Sequence, residues 1–302
     1  MRLGGEPESS NFEDRTGQGG SGFGGFGGGG MGGGGLGCLI PLVMSRFGIG
    51  GVVVLVIGYF ILTSLGGLSG GGGGMLPSSA PRQSVASGQS TLDPNMREFL
   101  LRVLGSTEQT WGDIFAKSGA RYEPTTMVAY SGGTQTGCGF GQAAAGPFYC
   151  PNDGKIYIDP AFANELSKRF GAPGDAAMAY VIAHEVGHHV QDLLGSLGQA
   201  EQLQARASKT EGNAIQVHVE LQADCYAGVW AANARDEKGS IIEPGDVEEA
   251  MRAAEAVGDD TLQKQAQGYV VPDSFTHGTS AQRIAALKRG LQSGDPAACK
   301  SL

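Results

Sequence analysis

Ala176–Leu194 (AAMAYVIAHEVGHHVQDLL) limits what this chain can fold into more than any other stretch. The run Met178–Ala183 is apolar, so a helix here is buried. His184, Glu185 and His188 would then lie in the interior, where unpaired polar groups are costly. Residues four apart share one helix face, so both imidazoles can bind a single ion. Glu185 sits one step round, beside the ion rather than on it, where a carboxylate can take a proton from water. The spacing H-E-x-x-H is that of a zinc-dependent peptidase, and Zn(2+) is the expected cofactor.

A catalytic zinc takes three protein ligands and keeps one position open. Some thirty residues on, Val217–Asp224 supplies Glu220 and Asp224, four apart on another expected helix. Glu220 is the expected third ligand, and Asp224 can accept the second ring N–H of a ligand histidine or hold another donor. His189 points about 100° away from His188 on an ideal helix. His218, two residues from Glu220, faces elsewhere. A third segment, Phe275–Ile284, reads as a turn entering a helix, with Thr279 or Ser280 as N-cap. There His277 can donate to an oxyanion and Arg283 can pair with Asp224.

These stretches carry a family likeness. Asn11-Phe12-Glu13-Asp14-Arg15, Gly146–Pro151, Tyr157-Ile158-Asp159, Ala183–Gln191, Glu220–Trp230 and Gln267–Gly278 occur in the order seen in the bacterial neutral zinc metallopeptidases. The chain resembles that family over nearly its whole length. The resemblance implies single-span membrane proteins with an extracytoplasmic peptidase domain. More distantly, His184/His188, Glu220/Asp224 and His277/Arg283 are similar to the pattern of the CAAX-prenyl and heat-shock membrane metallopeptidases. Those have proline after the histidine of the third segment, where this chain has Gly278.

The remaining sequence gives the setting. Of 53 glycines, 28 fall in residues 1–74. Residues 1–37 are low-complexity and read as a disordered cytoplasmic tail. Phe47–Leu65 holds nineteen uncharged, mostly apolar residues, enough for one crossing of a ~30 Å hydrocarbon core as a transmembrane helix. A cleavable signal peptide would have a shorter apolar core much nearer residue 1. Arg46, Arg15 and Arg2 precede the run, and the first basic residue after it is Arg82. That asymmetry puts the N-terminus in the cytoplasm and the rest outside, periplasmic or extracellular. Residues 66–94 read as a flexible linker, and Cys38 as an unpaired thiol near the membrane face.

Four further cysteines, Cys138, Cys150, Cys225 and Cys299, lie beyond the run. They allow three pairings, of which Cys138–Cys150 and Cys225–Cys299 are expected. The net charge of −9 argues against nucleic acid as a partner. The expected partners are a peptide or protein substrate and the lipid bilayer, the latter through residues 47–65.

Residues 95–302 suffice for one domain. Helices are expected at Met96–Leu104 and Thr107–Lys117, through the motifs, and at Pro244–Ala256 and Ser280–Leu291. Strands are expected at Thr126–Tyr130 and Lys155–Asp159, the latter as a possible edge for an extended substrate. The expected fold is α+β, mainly helical, a zincin-like metallopeptidase domain behind one transmembrane helix. The expected function is a membrane-anchored zinc endopeptidase with Glu185 as general base. The alternative is a metal-stabilised, non-catalytic binding or scaffolding protein of the cell envelope. The intact Glu185 favours catalysis, since a scaffold has no chemical need of it.

Overall fold

The computed structural model describes residues 1–18 and 89–300. In chain order its elements are β1 (Phe12–Asp14), α1 (Pro94–Lys117), β2 (Thr126–Ala129), β3 (Gly133–Thr136), β4 (Gly139–Gln142), β5 (Phe148–Cys150), β6 (Lys155–Ile158), α2 (Phe162–Lys168), α3 (Asp175–Leu193), α4 (Ser196–Gln204), α5 (Lys209–Asn233), β7 (Arg235–Asp236), β8 (Gly239–Ser240), α6 (Asp246–Ala256), α7 (Asp259–Gln267) and α8 (Ser280–Ser293). The domain is mainly helical α+β.

Local chemistry sets several boundaries. Asp93 caps α1 by accepting from the amides of Asn95 and Met96, and Pro94 at the first helical position fits the same start. Ser208 with Glu211, and Thr279 with Gln282, form capping boxes that start α5 and α8. Two helices were expected where α1 runs unbroken through Gly105-Ser106. Gly105 does not end the helix because its role is close approach: a Cβ there would lie 2.1 Å from the carbonyl oxygen of Pro7. Ser106 faces inward and accepts from Trp230 Nε1 at 3.2 Å.

Pro7 belongs to a segment that composition marks as disordered, and for residues 1–18 that expectation is corrected. β1 pairs in parallel with β2, placing Phe12 opposite Met127. Arg2 pairs with Asp236 at 2.8 Å, and the buried Glu6, Ser9 and Thr16 face the domain. Residues 1–18 contain few apolar groups, but they satisfy strand, backbone and ion-pair partners supplied by residues far along the chain. The linker expectation is corrected in the same way at its end. Ser90 and Thr91 hydrogen-bond to Asp14 and Thr16. The apolar run 47–65 and Cys38 lie outside the described residues; among the described residues no helix is long and apolar enough to cross a membrane.

The main sheet has the order β1-β2-β6-β5, with β1, β2 and β6 parallel and β5 antiparallel. Lys155–Ile158 is therefore an interior strand, flanked by β2 and β5. The expectation that it offers a free edge fails because both its backbone sides are already paired. β5 is an edge of this sheet, and Cys150 at its end bonds to Cys138 in the turn of the β3–β4 hairpin.

Helix α3 is buried almost all round, from Ala176 to Gly187, beneath a core that includes Leu100, Leu104, Trp111, Ile156, Ile182 and Tyr226. Fully burying a side chain of this kind stabilises by about 1.5–3 kcal/mol. Glycines bring the site-bearing helices together. A Cβ on Gly187 would lie 2.9 Å from Ala223 O, where α3 meets α5. Between α5 and α8, a Cβ on Gly290 would lie 1.9 Å from Cys225 O, and one on Gly228 2.2 Å from Leu287 O. The second disulfide, Cys225–Cys299, joins α5 to the C-terminal turn.

Candidate metal centre

The α3–α5 crossing sets Glu220 against the two histidines of α3. Glu220 Oε2 is 3.1 Å from His184 Nε2 and 3.7 Å from His188 Nε2. One ligand atom from each of these residues lies within 4.8 Å of the others, so the group could hold a metal ion. Ligand atoms 2.0–2.1 Å from a tetrahedral ion would be about 3.4 Å apart. The observed separations straddle that value, and two imidazole nitrogens with a carboxylate oxygen are a donor set zinc accepts. Glu185, buried and next to His184, lies one helical step away.

Each ligand is held from behind. Asp224 Oδ1 is 2.8 Å from His184 Nδ1, a contact that holds a proton on that nitrogen and leaves Nε2 as the one that would face a metal. Arg283 donates to both Asp224 oxygens, from Nε at 2.8 Å and Nη2 at 2.9 Å, and Tyr180 OH donates at 2.5 Å. His188 Nδ1 faces Gln191 Oε1 at 2.8 Å. Gln191 Nε2 donates to Val219 O and Gln222 Oε1, and Gln222 Nε2 donates to Cys299 O. This chain of amides fixes which atom Gln191 turns toward His188, and so the His188 tautomer. Gln216 Nε2 donates to Glu220 Oε1 at 2.9 Å, leaving Oε2 toward the histidines.

Electrostatics follow from the burial of opposite charges together. Burial opposes charge on Asp224, yet Arg283 and His184 bring its pKa down to about 2. Burial likewise disfavours a charged Glu220, but the two histidines hold it well below the usual carboxylate range. For His184 burial again works against charge, while the Asp224 carboxylate and its hydrogen bond raise the ring to about 10. The pocket thus holds its carboxylates ionised and draws a positive charge to the histidines, a proton or a cation.

His277 lies on the turn before α8, half-exposed. Its Nδ1 is 3.3 Å from Asp259 Oδ1, and Asp259 Oδ2 accepts from the amides of Thr276, His277 and Gly278. Partial burial disfavours its charge, but the Asp259 hydrogen bond and the Glu220 charge raise its pKa. Gly278 has φ +87° and an amide that donates to Asp259. Proline could do neither, which accounts for the departure from the distant pattern.

His189 faces away from the group: its Nε2 meets Glu123 O at 2.6 Å and its Nδ1 lies 3.2 Å from Tyr149 OH. His218 is exposed and outside the group. Sequence reading missed Tyr180, Gln191, Gln216, Gln222 and Asp259. The signal for three of them was helical spacing: Tyr180 precedes His184 by four, Gln191 follows His188 by three, and Gln216 precedes Glu220 by four. A second acidic group comprises Asp175, Asp246 and Glu249, and the Met1 ammonium bonds to two of its members, Asp175 and Asp246.

A family model described as "Putative neutral zinc metallopeptidase" matches residues 1–302. The protein titled "Uncharacterized protein YpfJ" of Escherichia coli (strain K12) is 47% identical over 306 residues, covering 100% of this chain and 98% of that protein. "Uncharacterized protein Rv2575" of Mycobacterium tuberculosis (strain ATCC 25618 / H37Rv) is 44% identical over 187 residues, covering 59% of this chain and 62% of that protein. No solved structure matches the chain.

Proposed function

Since the chain belongs to the neutral zinc metallopeptidase family that its whole length matches, we propose that it is a zinc-dependent endopeptidase with Glu185 as general base. The observation that carries the reading is the convergence of His184, His188 and Glu220 on one point, with Glu185 adjacent on the same helix. Zinc held there would polarise the scissile carbonyl and bring the pKa of a bound water toward about 7.

The chain's own residues do the rest. Asp224 and Gln191 present the Nε2 lone pairs of His184 and His188, and Gln216 turns one Glu220 oxygen the same way. Glu185 accepts a proton from the attacking water as its oxygen adds to the carbonyl carbon. As the C–N bond breaks, Glu185 returns that proton to the leaving amine nitrogen. His277, with Nδ1 toward Asp259, has Nε2 available to donate to the oxyanion that develops on the carbonyl oxygen. Arg283 keeps Asp224 ionised so that His184 stays oriented.

The two disulfides fit an oxidising compartment outside the cytoplasm. We extend the proposal to a zincin-like arrangement, a peptide or protein substrate, and attachment to a lipid bilayer through 47–65.

The test is peptide-library cleavage by the full chain, wild type beside Glu185→Gln, with zinc measured in both. The variant should keep zinc and its fold and lose hydrolysis by several orders of magnitude, because an amide does not accept the proton. Equal cleavage by zinc-loaded Glu185→Gln sinks the reading.

A further inference from the structure

Three large apolar side chains in a row, Tyr269, Val270 and Val271, stand in solvent, 63%, 43% and 39% exposed. The loop that bears them is fixed by side chains. Gln263 Oε1 accepts from Val271 N at 2.8 Å, and Gln263 Nε2 donates to Ser274 Oγ at 3.0 Å. Ser274 Oγ in turn donates to Val271 O at 2.7 Å, and Gln267 Nε2 donates to Tyr269 O at 3.1 Å. Phe275 anchors the far end in the interior. The backbone is thus tied to α7 while its apolar groups are held outward, an arrangement that core packing does not explain. A fixed loop presenting adjacent apolar groups to water marks a contact surface.

Its place against α5 says what that surface faces. Asn213 Nδ2 donates to Asp273 O at 2.7 Å. A Cβ on Gly278 would lie 3.2 Å from Val217 Cγ1 and 3.4 Å from Leu221 Cδ2. On the other side of the same helix, Gln204 at the end of α4 donates to Gln216 Oε1 at 2.9 Å and to Gly212 O at 3.4 Å. A helix turns about 100° per residue, so Gly212 and Gln216 fall at about 0° and 40° around α5. Asn213, Val217 and Leu221 fall at about 100°, 140° and 180°, and Glu220 at about 80°. The expected ligand carboxylate therefore lies between the strip that α4 touches and the strip that the loop touches. These two make the walls of a groove whose floor, through Gln216 and Glu220, leads to the metal centre. Leu203, 60% exposed, precedes Gln204 on the α4 wall.

The groove also has a length scale. Asn213 precedes Glu220 by seven residues, about 10.5 Å along the helix axis. An extended peptide advances about 3.3 Å per residue. A substrate side chain against the loop is then about three or four positions from the peptide bond at the metal centre.

We propose that Leu203, Tyr269, Val270 and Val271 are specificity residues that hold a bulky apolar side chain of an extended peptide substrate, three or four positions from the scissile bond. This deepens the peptidase reading and rests on it for the bond that is cut. Binding energy gained that far from the reacting carbonyl is available to orient it.

Two readouts on the zinc-loaded full chain separate the groove from the chemistry. In the first, Glu185→Gln is titrated with labelled ten-residue peptides of serine and alanine, with or without one phenylalanine, and binding is read by fluorescence anisotropy. The phenylalanine peptides should bind about 10-fold tighter or more. Adding Val270→Asp should shrink that difference to about twofold, and Leu203→Asp on the opposite wall repeats the measurement should Val270→Asp fold poorly. In the second, wild type is incubated with the same peptides and the cut bonds are mapped. Phenylalanine should lie three or four positions from the cut, on one side only. Equal binding with and without phenylalanine, a preference that both substitutions leave intact, or cuts placed without regard to phenylalanine overturns the proposal. A binding preference that the substitutions remove, with no cleavage by wild type, supports the groove and sinks the peptidase reading instead.

Discussion

Gly187→Ala adds one methyl group where α3 crosses α5. The new Cβ would lie 2.9 Å from Ala223 O and 3.0 Å from Ala223 Cα, whereas ordinary contact begins near 3.4 Å. Both atoms are backbone, so no rotamer change relieves the overlap, and α5 must retreat by about 0.4–0.5 Å. Overpacking of this kind costs about 1–3 kcal/mol. Alanine is also the better helix former, by about 0.8–1 kcal/mol. The net loss of stability is therefore expected between about 0 and 2 kcal/mol. The metal centre is less forgiving, because Ala223 lies between Glu220 and Asp224 and metal–ligand distances tolerate about 0.2 Å. A shift twice that size should weaken zinc binding by roughly 10–100-fold. Zinc affinity is measured by chelator competition on the full chain, beside thermal unfolding of the metal-free protein to show that the variant folds. A folded variant that binds zinc within twofold of wild type refutes the argument that this crossing sets the Glu220 position.

Three further outcomes follow from particular contacts. Gln191→Leu keeps size but removes the acceptor facing His188 Nδ1, and should lower zinc affinity by about 10–100-fold in the same competition assay; no change would leave the amide chain without influence on the metal. Replacing Cys225 and Cys299 by serine opens a loop with sequence separation 74, against 12 for Cys138–Cys150. The chain-entropy relation gives about 4.4 and about 2.8 kcal/mol respectively, so urea unfolding should rank the pairs in that order, and the reverse order contradicts it. The Cys225–Cys299 variant should also bind zinc less tightly, since Cys299 O ends the amide chain to His188. Lastly, burial opposes charge on Glu13 and Asp14, but Lys155 and Arg15, and Ser90 and Thr16, hold their pKa values below the ordinary ones. Their contribution to docking β1 is then complete above about pH 4–4.5 and lost as pH falls through the lowered values. Hydrogen exchange should show amides of Phe12–Asp14 losing protection in acid before those of α3, and parallel loss in both would contradict this.

Where the chemistry is local or periodic, the residues speak for themselves. His184 and His188 share a face because a helix repeats every 3.6 residues. Glu220 and Asp224 are four apart for the same reason, and one is turned to the histidines' Nε2 side while the other meets His184 Nδ1. The strands at 126–129 and 155–158 are runs rich in β-branched and aromatic residues, and the helix caps follow from Asp93, Ser208 and Thr279. Gly105, by contrast, reads as a helix break on propensity alone and is instead the floor for Pro7. Local propensity has no information about a backbone that arrives from nearly a hundred residues away.

The sequence alone determined which groups could meet a metal, because ligand type and helical period are properties of single segments. Only the tertiary structure decided what those segments were set against. It made β6 an interior strand, turned Gln191 toward His188 through Gln222 and Cys299, and drew the glycine-poor start of a glycine-rich region into the sheet as β1. Those outcomes depend on pairings between distant residues. Each is stabilised by partners that no window of neighbouring residues contains.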